Sequence, residues 1–161
     1  IGNGLSIPSG PLRESLTSLK RANCVFINGK KNIDIENKIF SKNKKIEIFY
    51  STYKPVNISD FKGKNIIAFA GIGNPGNFFS LLKDFNISTS EEIEFPDHYN
   101  YSDKDLKKLV DKAKKNESIL LTTEKDYARI DKIYKKNINY LKVLVEIQNK
   151  EKFIEMIKKI I

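Results

Sequence analysis

Residues 66–70 (Ile66-Ile67-Ala68-Phe69-Ala70) form an apolar run with no polar position in it. A half-buried strand alternates between polar and apolar residues. A strand apolar at every position has no face to show to water. It must be covered on both sides, which calls for a layered fold with helices above and below a sheet. The run passes into Gly71-Ile72-Gly73-Asn74-Pro75-Gly76 and then into a helical pattern over 75–85. Alternation continues downstream: a short strand at 92–95, a helix opened by Ser102 with Asp105 three positions on, and a strand at 119–121. A short helix capped by Thr123 and reaching about residue 133 follows, then a strand over 140–147 and an amphipathic helix over 150–160. The pattern predicts an α/β fold, a mostly parallel sheet flanked by helices, over 65–161.

The first 64 residues read differently. Three glycines and two prolines shape residues 1–11. Pro11 suits the first turn of a helix carrying Leu12, Leu16 and Leu19 on one side. A short strand at 25–27 closes on Asn28-Gly29, 33–35 is a weak strand, and 46–51 a stronger one. The chain opens in loop chemistry, Ile1-Gly2-Asn3-Gly4, and the expectation is a piece from within a longer protein.

The longest apolar run, 66–72, is strand length and far from the roughly 20 residues of a membrane-spanning helix. Lys and Arg number 29 against 20 Asp and Glu, so the net charge is 29 − 20 = +9. A basic surface meets nucleic acid, phosphorylated metabolites or an anionic membrane. Arginine occurs only at 13, 21 and 129, and no nucleic-acid-binding signature is present, so nucleic acid is not the expected partner. One cysteine, Cys24, excludes an internal disulfide, and one histidine, His98, excludes a His-rich metal site.

Four stretches carry chemistry-bearing residues. Gly71 to Gly76 matches G-x-G-x-x-G and offers backbone N–H groups at a helix start, which suits an anion. It fails as an ATP-binding G-x-x-x-x-G-K-[ST] loop, because Asn77 and Phe78 stand where lysine and hydroxyl are needed. A dinucleotide reading would enlist Glu92 or Glu94. Asp97-His98, within Phe95-Pro96-Asp97-His98-Tyr99-Asn100-Tyr101, is a carboxylate–imidazole pair at a strand end, suited to acid/base or orienting work. Arg13-Glu14 sits in Gly10-Pro11-Leu12-Arg13-Glu14, placed to hold a phosphate and a metal-bound water or simply to complement a helix dipole. Thr123-Glu124-Lys125-Asp126 joins a strand end to a helix start, either as a cap or as a ligand contact.

In their order these stretches resemble the C-terminal part of the tetraacyldisaccharide 4'-kinase (lipid A kinase) family. The matching residues are Gly2-Asn3-Gly4 through Ile7-Pro8-Ser9-Gly10-Pro11-Leu12-Arg13-Glu14, and Ala68 to Pro75 with Phe78-Phe79. They continue with Phe95-Pro96-Asp97-His98, Tyr101, and Leu121 to Asp126. The resemblance implies the C-terminal lobe of a P-loop-type kinase that moves the γ-phosphoryl group of ATP, with Mg²⁺, onto the 4'-hydroxyl of a lipid A disaccharide precursor. It implies work at the cytoplasmic face of the inner membrane of Gram-negative bacteria, against an anionic surface. The nucleotide loop would belong to a missing N-terminal lobe that 1–64 contacts, and this chain alone would be inactive. His98, Asp97 and Glu14 are the implied catalytic residues, with Glu14 near the metal. Arg13, Gly71, Gly73, Asn74, Thr123, Glu124 and Lys125 are the implied substrate or phosphate contacts. Two departures stand out: Tyr99 where a second histidine is common, and Asn77 where a basic residue often precedes the Phe-Phe pair. The rival readings are a non-catalytic anion- or nucleic-acid-binding module and a dinucleotide-binding domain on Gly71 to Gly76.

Overall fold

The computed structural model describes residues 6–161; the predicted opening loop at Gly2-Asn3-Gly4 lies outside the described residues. Two compact units are present. One comprises Ile1–Thr52 with Val145–Ile161, the other Tyr53–Leu144. The last helix groups with the first unit.

The second unit holds the predicted α/β layers. Its strands are β3 (Ile66–Ala70), β4 (Glu91–Glu94), β5 (Ile119–Thr123) and β6 (Ile138–Leu141), all parallel, in the order β4-β3-β5-β6. All five residues of β3 are fully buried, as a central strand between two layers must be. Its side chains alternate between two cores. Ile66, Ala68 and Ala70 meet Phe78, Phe79 and Leu82 of helix α2 (Pro75–Asp84). Ile67 and Phe69 meet Leu106, Leu109, Val110 and Ala113 of helix α3 (Asp103–Lys115). The α3 stripe is the predicted one, and each buried leucine in it contributes about 1.5–3 kcal/mol. Ser102 and Asp105 form the predicted capping box.

The chain leaves β3 toward β4 by way of α2, then returns past β3 to β5 by way of α3. The loops after β3 and β5 therefore leave in opposite directions. Their separation opens a crevice at the carboxyl ends of the two strands, where open α/β sheets bind ligands.

The first unit carries β1 (Cys24–Asn28), β2 (Glu47–Pro55) and β7 (Val143–Ile147), in the sheet order β1-β2-β7, with β1 and β2 parallel. Helix α1 spans Ile33–Phe40 and α6 Lys150–Ile160. Phe26, Phe49 and Phe153 meet with ring centroids 4.8–5.6 Å apart, tying α6 to β1 and β2. The chain crosses between units twice, within β2 and within β7.

Four elements differ from expectation. The single helix expected from Thr123 to about residue 133 is two short helices, α4 (Glu124–Arg129) and α5 (Lys132–Lys135), parted where Ile130 turns extended (φ −74°, ψ 137°). The weak strand at 33–35 is the start of α1, because the Asn32 side chain accepts the Ile35 N–H at 3.0 Å and caps a helix. The helix expected from Pro11 is a 3₁₀ turn over Leu16–Arg21 that begins after Ser15, because an isolated bridge between Ser6 and Leu12 holds Leu12 extended. The single strand over 140–147 is two strands in two sheets. Asn57 makes the break at Lys142: it accepts the Lys142 N–H at 2.8 Å and donates to the Tyr140 carbonyl at 3.0 Å.

Candidate functional site

The site grows from the end of β3. The Gly71 N–H donates to Asp126 Oδ2 at 3.1 Å. Its carbonyl accepts from the His98 N–H at 3.0 Å and from Arg129 Nη2 at 3.0 Å. One residue thus joins the β3–α2 loop, the turn after β4 and helix α4 (Glu124–Arg129). Gly71 is required here by space. A Cβ would lie 2.9 Å from Tyr101 Oη, 3.1 Å from Tyr99 Cβ and 3.2 Å from the Pro96 carbonyl. At Gly73 a Cβ would come no nearer than 3.4 Å, and the neighbour is the Asp97 carboxylate. The end of β3 and the turn after its neighbour β4 therefore bring Gly71, Gly73, Asp97 and His98 together.

His98 occupies the left-handed region, φ 57°, which costs a non-glycine residue about 1–2 kcal/mol. Its N–H bond to Gly71 and the Tyr99 N–H bond to the Pro96 carbonyl (3.1 Å) fix the turn. The imidazole is 67% exposed and the Asp97 carboxylate 52%. Nε2 stands 3.9 Å from Asp97 Oδ1, close enough to feel the charge and too far for a hydrogen bond. An exposed imidazole on a rigid, strained turn is presented outward, ready to meet a group from solvent or another lobe.

Asp126 is the buried anchor. It is fully buried, and Oδ2 also accepts the Thr123 hydroxyl at 2.7 Å while Thr123 Oγ1 accepts the Asp126 N–H at 3.0 Å. Oδ1 pairs with Arg129, whose Nε and Nη1 are buried without a protein partner. Tyr101 is buried beside this carboxylate. Burial, and then the Asp126 charge, raise its hydroxyl pKa, so it stays protonated. The capping role of Thr123 and Asp126 was visible in sequence. The tie to Gly71 and the use of Arg129 were not, since nothing local in a sequence reports a contact between strand ends.

The remaining predicted residues divide. Asn74 caps α2, accepting the Asn77 N–H at 3.3 Å, so its side chain is spent on the helix. Thr123 is likewise spent on α4, while Glu124 and Lys125 are exposed. Asn74, Thr123, Glu124 and Lys125 line one cavity of about 710 Å³ beside the Gly71 loop. Arg13 and Glu14 lie in the first unit, exposed, ahead of the Ser15 cap instead of inside a helical turn. Glu14 pairs there with Arg21, an exposed ion pair worth roughly 0–1 kcal/mol. Of the two departures, Tyr99 donates its hydroxyl to Asp105 at 3.1 Å, and Asn77 is exposed on the cavity rim. Among the described residues no group of three or more His, Cys, Asp or Glu side chains is arranged for a metal ion.

The sequence model of the tetraacyldisaccharide-1-P 4'-kinase family (LpxK) matches residues 1–161. The chain belongs to that family. It is similar to the tetraacyldisaccharide 4'-kinase of Pelagibacter ubique (strain HTCC1062), 41% identical over 94% of this chain and 49% of the relative. The Rickettsia akari (strain Hartford) protein of that name is 38% identical over 98% of this chain and 48% of its own. Among solved structures, the "apo" form of LpxK from Aquifex aeolicus in complex with ATP superposes with a TM-score of 0.65. It is 27% identical, over 96% of this chain and 48% of that one. The chain spans about half the length of these relatives and corresponds to their C-terminal part. The family assignment and the α/β architecture expected from the resemblance both hold.

Proposed function

We propose that this chain is the C-terminal half of a lipid kinase that transfers the ATP γ-phosphoryl group to the 4'-hydroxyl of a tetraacyldisaccharide 1-phosphate in lipid A biosynthesis. One observation carries the reading: in a chain of the LpxK family, the strained Asp97-His98 turn is hydrogen-bonded to Gly71 at the carboxyl end of the parallel sheet, with its imidazole exposed. Phosphoryl transfer needs an oriented attacking hydroxyl and neutralised charge more than covalent chemistry. His98 would accept or position the 4'-hydroxyl proton, with the Asp97 carboxylate beside it on the same turn. Arg13 would meet phosphate oxygens, and Glu14 would lie near the metal and phosphates. Gly71, Gly73, Asn74, Thr123, Glu124 and Lys125 would border the substrate.

ATP and Mg²⁺ are assigned chiefly to an N-terminal P-loop lobe. This chain has no G-x-x-x-x-G-K-[ST] segment, and its described residues do not by themselves make a metal site. When bound, Mg²⁺ would neutralise phosphate charge. The segment 1–64 would contact that lobe. The exposure of Phe26 and Ile33, and the open edge that β1 presents, support this, because unpaired edge groups and uncovered apolar side chains suit a covering partner. No helix among the described residues is long and apolar enough to cross a membrane. The proposed place is peripheral, at the cytoplasmic face of the inner membrane, with lysines toward anionic lipid.

A phosphorylation assay on this polypeptide alone, and on the polypeptide joined in frame to the N-terminal half of the Pelagibacter ubique relative, tests the reading. Turnover is expected only in the joined protein. Turnover by the chain alone would remove the need for a second lobe, and a folded joined protein that binds ATP without transferring phosphate would refute the kinase assignment.

A further inference from the structure

The cavity beside the Gly71 loop is not explained by positioning His98. It lies on the α2 side of the sheet, between the loops leaving β3 and β5 in opposite directions, at the switch point where open α/β sheets take ligands. At about 710 Å³ it is the size of a small-molecule site. Its lining is divided by chemistry. Ile72, Phe78, Leu81 and Leu141 supply an apolar floor, with Phe78 and Leu141 buried. Asn77, Glu124 and Lys125, all exposed, stand at its rim.

We infer that this cavity binds one acyl chain of the lipid substrate, with the sugar headgroup held at the polar rim. The inference rests on the kinase reading for the identity of the headgroup, and on the cavity for the chain. An apolar floor beneath a hydrogen-bonding rim matches an amphipathic molecule. A nucleotide fits it poorly. Lys125 is the one cation among the described lining residues. Two of the first-turn N–H groups are taken by caps, that of Asn77 by Asn74 and that of Asp126 by Thr123. Hydroxyls of a disaccharide ask only for side-chain donors and acceptors, which Asn77, Glu124 and Lys125 offer. The arrangement places the lipid tail beside the loop whose Gly71 carbonyl holds the His98 N–H.

Dodecyl maltoside, a disaccharide with one alkyl chain, is a suitable probe below its micelle concentration. It would be titrated into the ¹⁵N-labelled chain, with octyl maltoside, maltose and ATP as comparisons. The expected result is saturable one-to-one binding, with amide shifts centred on Ile72, Leu81 and Ala128. Removing four methylenes should weaken binding on the order of 10²-fold, and maltose alone should cause no shift. Ala128→Trp on the exposed side of α4 should fill the cavity and weaken binding at least tenfold, and Leu81→Lys should do the same by a different route. Shifts centred on other apolar surfaces, binding indifferent to chain length, or tighter occupation of the same amides by ATP would each overturn the inference. No turnover is read, so a failed phosphorylation assay would leave this result standing. A failed titration would likewise leave the kinase reading untouched.

Discussion

The Asp126 carboxylate accepts the backbone N–H of Gly71 at 3.1 Å, joining two strand ends 55 residues apart in the chain. Arg129 completes the tie by donating to both Asp126 and the Gly71 carbonyl, which also receives the His98 N–H. A buried ion pair is costly to break from one side, because the partner left behind is a desolvated charge. Arg129→Met should therefore lower unfolding stability by about 3–5 kcal/mol in urea denaturation. The double variant Asp126→Asn/Arg129→Met should recover much of that loss. A single variant as stable as the parent would mean that the pair does not hold the loop.

Glycine is needed at 71 for space and not at 73. Gly71→Ala forces a Cβ to within 2.9 Å of Tyr101 Oη and 3.2 Å of the Pro96 carbonyl, so the His98 turn must shift. Overpacking of this kind costs roughly 1–3 kcal/mol. Gly73→Ala meets only an ordinary 3.4 Å contact with Asp97 and should stay within about 0.5 kcal/mol of the parent. Thermal unfolding of the two variants compares them directly, and equal losses would show that the crowding at Gly71 is relieved without cost.

His98 should separate stability from catalysis. Relief of the left-handed backbone makes His98→Gly more stable by about 1 kcal/mol. In the joined, ATP-competent enzyme His98→Ala should reduce kcat by roughly 10²–10⁴-fold. Steady-state kinetics decide this: an unchanged kcat removes the imidazole from the reaction.

The capping box should make α3 acid-sensitive. Hydrogen bonds from the Ser102 hydroxyl, and then from its backbone N–H, hold the Asp105 carboxyl below its ordinary pKa, with Tyr99 adding to them. Because the folded value is depressed, this stabilisation is present above the ordinary carboxylate pKa and is lost as pH falls through the lowered one. Asp105→Asn should flatten that part of the acid-unfolding profile. Amide exchange in the first turn of α3 at pH 3 and pH 6 measures it, and a parent protein with equal protection at both pH values would contradict the argument.

The second unit was largely legible because its signals are local. The apolar β3, the Ser102–Asp105 box, the Pro at the start of α2 and the stripe on α3 each depend on residues within one or two turns of one another. The misread elements depend on distant partners. Ile33-Asp34-Ile35 alternates like a strand, yet Asn32 caps it as a helix and Tyr50, reached through the sheet, donates to Glu36 at 2.9 Å. Residues 140–147 read as one strand because alternation says nothing about which sheet a strand joins. Asn57, 83 residues before Tyr140, makes the division.

Sequence alone determined the layered fold, the family and the order of the candidate stretches, because buried periodicity and short motifs are properties of neighbouring residues. The tertiary structure decided which of those stretches meet. His98, Asp126 and Arg129 all bond to Gly71 because the crossovers through α2 and α3 bring the strand ends side by side, and the cavity exists because the chain reverses direction between β3 and β5. These are consequences of strand order, a long-range quantity that loop closure and core packing settle together and that no local pattern encodes.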